Sequence, residues 1–268
     1  MLQISNPPPP KTETRRLRRI IVLTIFIVFL LPVLLRASFY AFQSGPAHWR
    51  DANWSSTGLL AQATADPRAR IVVMYARAGG LKGVVAVHSW IEFKRADTHA
   101  WTRYDVAGWG SPVKLNNWPP DGRWYGTTPT IIADVAGAEA EALIPKIEAA
   151  VRAYAYNRAG DYRIWPGPNS NTFTATVLRA VPEIGAALPS NAIGRDFRPL
   201  PYAGLTGSRT GIELNLWGLL GLKVALIEGL EVNVLGLVAG FDWLHPAVKI
   251  PGFGPIGISG ATAVAAVQ

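Results

Sequence analysis

Residues 69–94 carry the strongest strand signal in the chain and read ARIVVMYARAGGLKGVVAVHSWIEFK. Two runs rich in β-branched and aromatic residues, 69–78 and 83–94, flank a turn that begins at Gly79-Gly80. Runs of this kind joined by a short glycine turn are typical of neighbouring antiparallel strands. We therefore predict a sheet built around these two strands, with His88 in the middle of the second one.

Elements downstream complete an α+β pattern. Strand-like stretches recur at 101–106 and 130–135, separated by a segment rich in proline, glycine, asparagine and tryptophan that we interpret as an ordered loop. Apolar residues at helical spacing predict a helix over 138–157, kinked by Pro145 or containing it in its first turn, and a second helix over 169–181. The predicted fold is an antiparallel sheet packed on two helices.

The apolar stretch 211–243 predicts a C-terminal hydrophobic hairpin. Its alternation at 230–234 is typical of a half-buried strand. Charged side chains leave no uncharged run long enough for a second membrane span; they are Lys223, Glu228 and Glu231. The leucines at 219–220 and the residues 235–238 have two interpretations, contact with lipid headgroups or completion of the core, and we favour the core.

A basic cluster at 15–19 (RRLRR) precedes sixteen uncharged residues, 20–35. The aromatic residues that follow extend this run to the length needed to cross a bilayer, about 20 residues. We predict a cytoplasmic tail at 1–19, where Pro7 to Pro10 favour an extended backbone, and a membrane anchor at 20–42. The remaining residues, 45–268, form one extracytoplasmic domain, facing the periplasm or the cell exterior, because the arginines stay on the cytoplasmic side. A cleaved signal peptide is the alternative, although Arg36 spoils the small-residue site it would need.

Composition excludes several classes of protein. The chain is 49% apolar and 16% charged and contains no cysteine, which excludes a disordered polar chain, a disulfide scaffold and a thiol nucleophile. Its net charge of +8 is concentrated at the N-terminus, since residues 1–36 contribute +5 and residues 37–268 only +3. A nucleic-acid partner is therefore not expected. The four histidines do not fall at metal-ligand spacing, so no metal or cofactor is expected.

Two features suggest a chemical site. His88 is an imidazole in an apolar strand, where burial is costly without polar partners. Ser170 follows a Gly-Pro turn at the start of the second helix, where free backbone N–H groups and the side chains of Asn169 and Asn171 can stabilise an oxyanion. The alternative interpretation is that Asn169 or Ser170 simply caps the helix, which is the commoner role of these residues.

The box Trp165 to Phe173 (WPGPNSNTF), together with the sequence His-Ser-Trp at 88–90, resembles an uncharacterised bacterial family of membrane-anchored proteins. The order of a histidine strand, a second strand and a helix that starts with the nucleophile is more distantly similar to the circularly permuted papain-like hydrolases, which include cell-wall peptidases and lipid acyltransferases. That resemblance places Ser170 where the family has cysteine and His88 in the histidine position. It implies a third polar group on the next strand, for which Asp105 is the candidate and Tyr104 and His99 are the alternatives.

Two functions remain open at this stage. The resemblance implies acyl transfer on an amide or ester of the bacterial envelope, a glycan, peptide or lipid substrate, with Ser170 as nucleophile, His88 as base and Asp105 as the orienting group. Serine in place of cysteine instead favours a non-catalytic binding or structural protein on the same fold, because a hydroxyl needs a well-aligned base. Trp90 and Trp109 either line a substrate groove or fill the core and anchor a loop.

Overall fold

The computed structural model describes residues 11–42 and 48–257, with side chains from Thr14 onward. The proline run at 7–10 and the predicted domain boundary at 45 lie outside the described residues. The chain is helical from Lys11 to Ala41: α1 (Lys11–Ile25), a π-helical turn (Phe26–Leu30) and α2 (Leu31–Ala41). The π turn ends two residues before Pro32, which has no backbone N–H for a regular helical bond.

We use the name N-terminal helix for Lys11–Ala41. Its portion Thr14–Ala41 is long and apolar enough to cross a membrane, and most of its side chains are exposed. The expectation of one apolar helix with the composition of a membrane anchor is confirmed to that extent. The sequence predicted an uncharged run from Ile20, and the helix begins earlier, at Lys11, before the basic cluster at 15–19.

The first sheet contains five antiparallel strands in the order β4-β3-β2-β1-β5. Their bounds are β1 (Arg70–Arg77), β2 (Val87–Lys94), β3 (Thr102–Val106), β4 (Val113–Leu115) and β5 (Thr130–Ala136). The four strands predicted in this region are present. A 3-10 turn (Gly80–Val84) occupies the start of the second predicted run, and β4 lies inside the segment predicted as a loop.

Each face of the first sheet is covered. Helices α4 (Ala138–Arg152) and α5 (Ser170–Ala180) pack on one face, where they bury apolar side chains of β1 and β2. Pro145 lies inside α4 rather than in its first turn. A short helix, α3 (Ala61–Ala65), and a cluster of tryptophans cover the other face. We call these two faces the helix face and the tryptophan face.

A second antiparallel sheet contains seven strands, β6 to β12, in which each strand pairs with the next along the chain. The region predicted as a hairpin, 211–243, supplies four of them, β7 to β10. The strands are β6 (Tyr202–Leu205), β7 (Gly211–Leu216), β8 (Leu220–Ala225), β9 (Gly229–Val234), β10 (Leu237–Asp242), β11 (Ala247–Ile250) and β12 (Gly254–Gly257). Short turns separate strands of four to six residues, so more strands fit in this length than a single hairpin needs. The fold is therefore α+β with two antiparallel sheets.

Candidate functional site

The start of α5 is held by a reciprocal hydrogen-bond pair. Asn169 Oδ1 accepts a bond from the backbone N–H of Thr172 at 3.1 Å, and Thr172 Oγ1 accepts one from the backbone N–H of Asn169 at 3.1 Å. This is a capping box, in which two helix-end N–H groups are satisfied at once. The capping interpretation of Asn169 is therefore correct in geometry.

The side chain of Asn171 connects the start of α5 to the start of β2 through hydrogen bonds. Its Nδ2 donates to the carbonyl oxygens of Val87 and Ile193 at 2.8 and 2.9 Å, and its Oδ1 accepts from Ser89 Oγ at 2.9 Å. The Nδ2 of Asn169 likewise donates to the carbonyl oxygens of Ile164 and Ile193. Each amide nitrogen has only two hydrogens. Neither side chain therefore keeps an N–H free for the oxyanion role predicted from the sequence.

Ser170 is the first residue of α5 and is buried. Within the described part of the chain its hydroxyl makes no hydrogen bond, whereas the side chains on either side of it do. In particular, no imidazole lies within hydrogen-bond distance of it. The nucleophile role thus lacks the adjacent base on which a serine hydroxyl depends.

The reason is the alternation of side chains along β2. Ser89 points to the helix face, where it meets Asn171, so its neighbours His88 and Trp90 point to the tryptophan face. The ring of Trp124, which belongs to the tryptophan cluster, lies stacked on the His88 imidazole with centroids 3.5 Å apart. The structure therefore places His88 and Ser170 on opposite sides of the same sheet.

The structure does bring His88 and Asp105 together. The distance from His88 Nε2 to Asp105 Oδ1 is 2.6 Å, and Arg103 Nε donates to Asp105 Oδ2 at 2.6 Å. The guanidinium of Arg103 also donates to the carbonyl oxygens of Pro119 and Pro120. The result is a buried chain from imidazole to carboxylate to guanidinium on the tryptophan face.

The alternatives to Asp105 lie elsewhere. Tyr104 is adjacent in β3 and therefore points to the helix face, where it packs beside Phe93. His99 lies in an exposed loop, with its Nδ1 2.7 Å from the carbonyl oxygen of Thr64. Of the three candidates, only Asp105 is within reach of the histidine.

The electrostatics of this chain favour a neutral imidazole beside an ionised carboxylate. Burial lowers the pKa of His88, although the hydrogen bond to Asp105 acts in the opposite direction. Burial by itself raises the pKa of Asp105, but the Arg103 charge and the His88 hydrogen bond outweigh it, and the net pKa is lowered. The His88 side chain keeps only 7% of its surface exposed and that of Asp105 only 2%.

Of the two tryptophans predicted to line a groove, one is buried and one is exposed. Trp90 is fully buried and contacts the guanidinium of Arg103, whose central carbon lies 4.0 Å from its ring centre. Trp109 is exposed and packs edge-on against Trp118 at 6.0 Å. The core interpretation is therefore correct for Trp90, which cannot line an open groove, while Trp109 alone is accessible.

One family model matches part of the chain. Residues 68–197 match a family described as "Protein of unknown function (DUF3750)". The matched segment contains the first sheet with α4 and α5, hence both the histidine strand and the WPGPNSNTF box. The N-terminal helix and the second sheet lie outside it. No curated protein and no solved structure matches the chain.

Two residues of the His88 site were missed from the sequence. Arg103 lies two positions before Asp105, and Glu92 lies four positions after His88, so period-two alternation places all of them on the tryptophan face. Glu92 is buried opposite Arg103 in the strand register, and neither of its carboxyl oxygens makes a hydrogen bond within the described residues. Burial raises the pKa of Glu92 well above its ordinary value, and the charge of Arg103 only partly offsets this.

No metal-binding group was identified. In the part of the chain that the structure describes, no three histidine, aspartate or glutamate side chains are arranged to hold an ion. The carboxylate of Asp105 is already occupied on both oxygens. The chemistry available at this site is therefore proton binding by the imidazole, held by Asp105 in one orientation.

Proposed function

We propose that this chain is a membrane-anchored binding or structural protein of the bacterial envelope that does not use Ser170 as a nucleophile. The observation that carries the proposal is the alternation on β2, which directs His88 away from α5 and gives Asn171 and Ser89 the contact between strand and helix. A site for acyl transfer needs base and nucleophile within hydrogen-bond reach.

The proposal includes a single-pass anchor in the cytoplasmic membrane. The N-terminal helix supplies a segment of suitable length, and its arginine-rich start favours a cytoplasmic N-terminus. The two sheets then lie on the periplasmic or outer side. Envelope glycans, peptides or lipids are the ligand classes available there, and Trp109 is an exposed flat surface for such a ligand.

Acyl transfer is the second candidate, and one observation favours it. The chain from His88 through Asp105 to Arg103 orients an imidazole as hydrolases do, and His88 Nδ1 makes no hydrogen bond within the described residues. In this case the chain descends from a papain-like hydrolase, as the order of elements suggests, and has retained the catalytic histidine of that ancestor. Activity would require Trp124 to move off the imidazole and Ser170 to be reached from the other face.

The test is labelling of the full chain with a serine-directed fluorophosphonate, compared with the variants Ser170→Ala and His88→Ala. The proposal expects the same background labelling of all three proteins. Labelling that is lost in both variants would overturn it and establish the second candidate.

A matched pair of variants tests the fold-building roles directly. Asn171→Ala removes the hydrogen-bond partner of the Val87 carbonyl and of the Ser89 hydroxyl, while the Ile193 carbonyl keeps its bond from Asn169. We expect a cost of about 1–3 kcal/mol in unfolding free energy. Ser170→Ala removes no hydrogen bond and leaves the stability nearly unchanged. Denaturant unfolding of the two proteins in the same detergent makes the comparison. Equal losses would contradict the assigned roles.

A further inference from the structure

The second sheet has its polar side chains inside and its apolar side chains outside. On β7 to β11, the side chains that point into the protein include the carboxylates of Glu213 and Glu231 and two lysines, all of which form ion pairs. Glu231 lies 2.5 Å from Arg195 and 2.6 Å from Lys249, and Lys223 pairs with Asp196. All five of these side chains are mostly or fully buried. The interior beneath this sheet is therefore filled by paired charged side chains rather than by apolar ones.

The opposite side, which we call the outward face, carries apolar side chains in register across the sheet. One row crosses all seven strands: Leu205, Ile212, Val224, Leu230, Phe241, Val248 and Ile256. A second row crosses β6 to β10: Ala203, Leu214, Leu222, Val232 and Ala239. A third consists of Leu216, Leu220, Val234 and Leu237.

These rows are open in the chain as described. Ile212 is 62% exposed and Leu214 is 53% exposed, and the leucines of β8 are exposed as well. Contiguous apolar surface of this extent marks a site that contacts a membrane or another protein. It corrects the expectation that the leucines at 219–220 and the residues 235–238 complete the core, since Leu220 and Leu235 are exposed and only Gly236 and Val238 are buried.

The N-terminal helix packs against this same sheet. Its π turn contacts β10, and Phe29 in that turn is buried. The outward side chains of β10 are half-buried, whereas those of β7 and β8 are exposed. Further along, the guanidinium carbon of Arg36 lies 5.5 Å from the ring centre of Phe253, in the turn before β12. The outward face is thus continuous with the surface of the helix.

The position of these contacts along the helix fixes the depth of the sheet. Tyr40 at the end of the helix donates to the carbonyl oxygen of Gly80 at 2.8 Å, and Phe29 lies eleven residues earlier. Eleven helical residues rise about 16 Å, roughly half of the 30 Å hydrocarbon core. If the helix spans the membrane through residues 20–42, β10 reaches the level of one leaflet's acyl chains.

The middle of the sheet can occupy that level with little exposed polar backbone. β10 pairs with β9 over residues 237–241 and with β11 over residues 240–242, so most of its N–H and C=O groups have partners within the sheet. The charged side chains lie on the other side of the same strands, paired with one another. Contact with lipid therefore involves side chains that hydrocarbon accepts.

We propose that the outward face of the second sheet is embedded in the acyl-chain region of the leaflet from which the N-terminal helix emerges. The inference rests on the membrane anchoring in the proposed function. The occupant of the face is lipid, because the only covering element in the described chain is a helix with the composition of a membrane span.

The experiment uses the absence of cysteine in the full chain. Single-cysteine variants Leu214→Cys, Ile27→Cys and Leu115→Cys are labelled with a polarity-sensitive fluorophore and reconstituted in vesicles of phosphatidylethanolamine and phosphatidylglycerol. The three positions are matched in exposure, at 53%, 50% and 54%. They lie on the outward face, on the helix and on β4 of the first sheet. Lipids with brominated chains and aqueous iodide serve as quenchers.

The proposal expects the label at 214 to be quenched by the brominated lipid, as at 27, and the label at 115 to be quenched by iodide. Iodide quenching at 214 with lipid quenching at 27 would overturn the inference and leave the anchor intact. Iodide quenching at both 27 and 214 would overturn the anchor as well. Protection of the label at 214 from both quenchers would show that a second copy or another protein covers the outward face. Equal lipid quenching at 115 and 214 would show that the outward face contacts lipid no more than the first sheet does. Either result overturns the inference.

Discussion

The two antiparallel sheets distribute polarity in opposite ways. In the first sheet, β1 and β2 bury apolar side chains on both faces. The few buried charges, among them the pair of Arg103 and Asp105, lie on the tryptophan face. In the second sheet, leucine and valine lie on the open face while carboxylates and lysines meet in the interior. Strands with similar alternation thus serve as a core layer in one sheet and as an outer surface in the other.

The difference shows what holds each half together. Apolar burial stabilises the first sheet through its contacts with α4 and α5. The second sheet gains little from its apolar residues within the chain, and its interior depends on complete pairing of buried charge. A buried ion pair adds little relative to an apolar pair, but breaking it leaves an uncompensated charge. The two sheets should therefore respond differently to the same substitutions.

The largest effect is expected from removal of a buried carboxylate. Glu231→Ala leaves Arg195 and Lys249 without their shared partner, and we expect a loss of about 3–5 kcal/mol in unfolding free energy. Asp105→Ala should cost less, because His88 can stay neutral and Arg103 keeps its bonds to the carbonyls of Pro119 and Pro120. Denaturant unfolding in detergent measures both.

Glu183→Ala is the control, since Glu183 forms an exposed pair with Lys146 and its removal should change the stability little. Equal losses for Glu231→Ala and Glu183→Ala would mean that the interior of the second sheet is hydrated. In that case the contrast between the two sheets would not hold.

The next effect comes from truncating one apolar side chain in each sheet. Ile91→Ala in β2 opens a cavity in the core beneath the helices and should cost about 2–5 kcal/mol. Leu222→Ala in β8 changes an exposed residue and should cost less than about 0.5 kcal/mol in detergent. Thermal and denaturant unfolding compare the two proteins. A cost at Leu222 equal to that at Ile91 would indicate that the outward face is covered within the chain.

The smallest effect concerns Glu92, whose carboxyl makes no hydrogen bond of regular geometry with the described residues. Its folded-state pKa is raised by burial, so its favourable contribution to stability is present below the ordinary pKa and is lost as the pH rises toward the raised value. Glu92→Gln should therefore increase the unfolding free energy at pH 7 by about 1 kcal/mol or more. At pH 4 this gain should vanish.

The control for that measurement is Glu139→Gln, an exposed position at the start of α4. It should not show the increase in unfolding free energy at pH 7 that we expect for Glu92→Gln. Stability of Glu92→Gln that is lower than that of the wild type at pH 7 would mean that the ionised carboxylate is paired with Arg103 in solution.

Much of the secondary structure was predictable because it follows from local spacing. The strands at 70–77, 102–106 and 130–136 and the helix that starts at Ser170 correspond to alternation, helical periodicity and a capping sequence. The seven strands after residue 201 were not predictable in the same way, because their short runs and glycine turns resemble one longer apolar segment.

The candidate site was predictable only within one face of the sheet. The resemblance left Asp105, Tyr104 and His99 as candidate partners of His88, and the structure places only Asp105 within reach, at 2.6 Å. The connection to Ser170 depends on which side of β2 the helix covers. Alternation along a strand shows which side chains share a face, but it does not show which element packs on that face.

The apolar helix, the strands of the first sheet and the polar and apolar periodicities follow from the sequence, because they depend on neighbours along the chain. Which side of each strand faces inward depends on the packing of elements that are distant in sequence. In the first sheet α5 covers the side with Ser89 rather than His88, and in the second the charged side chains of β7 to β11 find partners inside. Side-chain direction follows from local geometry, whereas burial depends on what packs against each face.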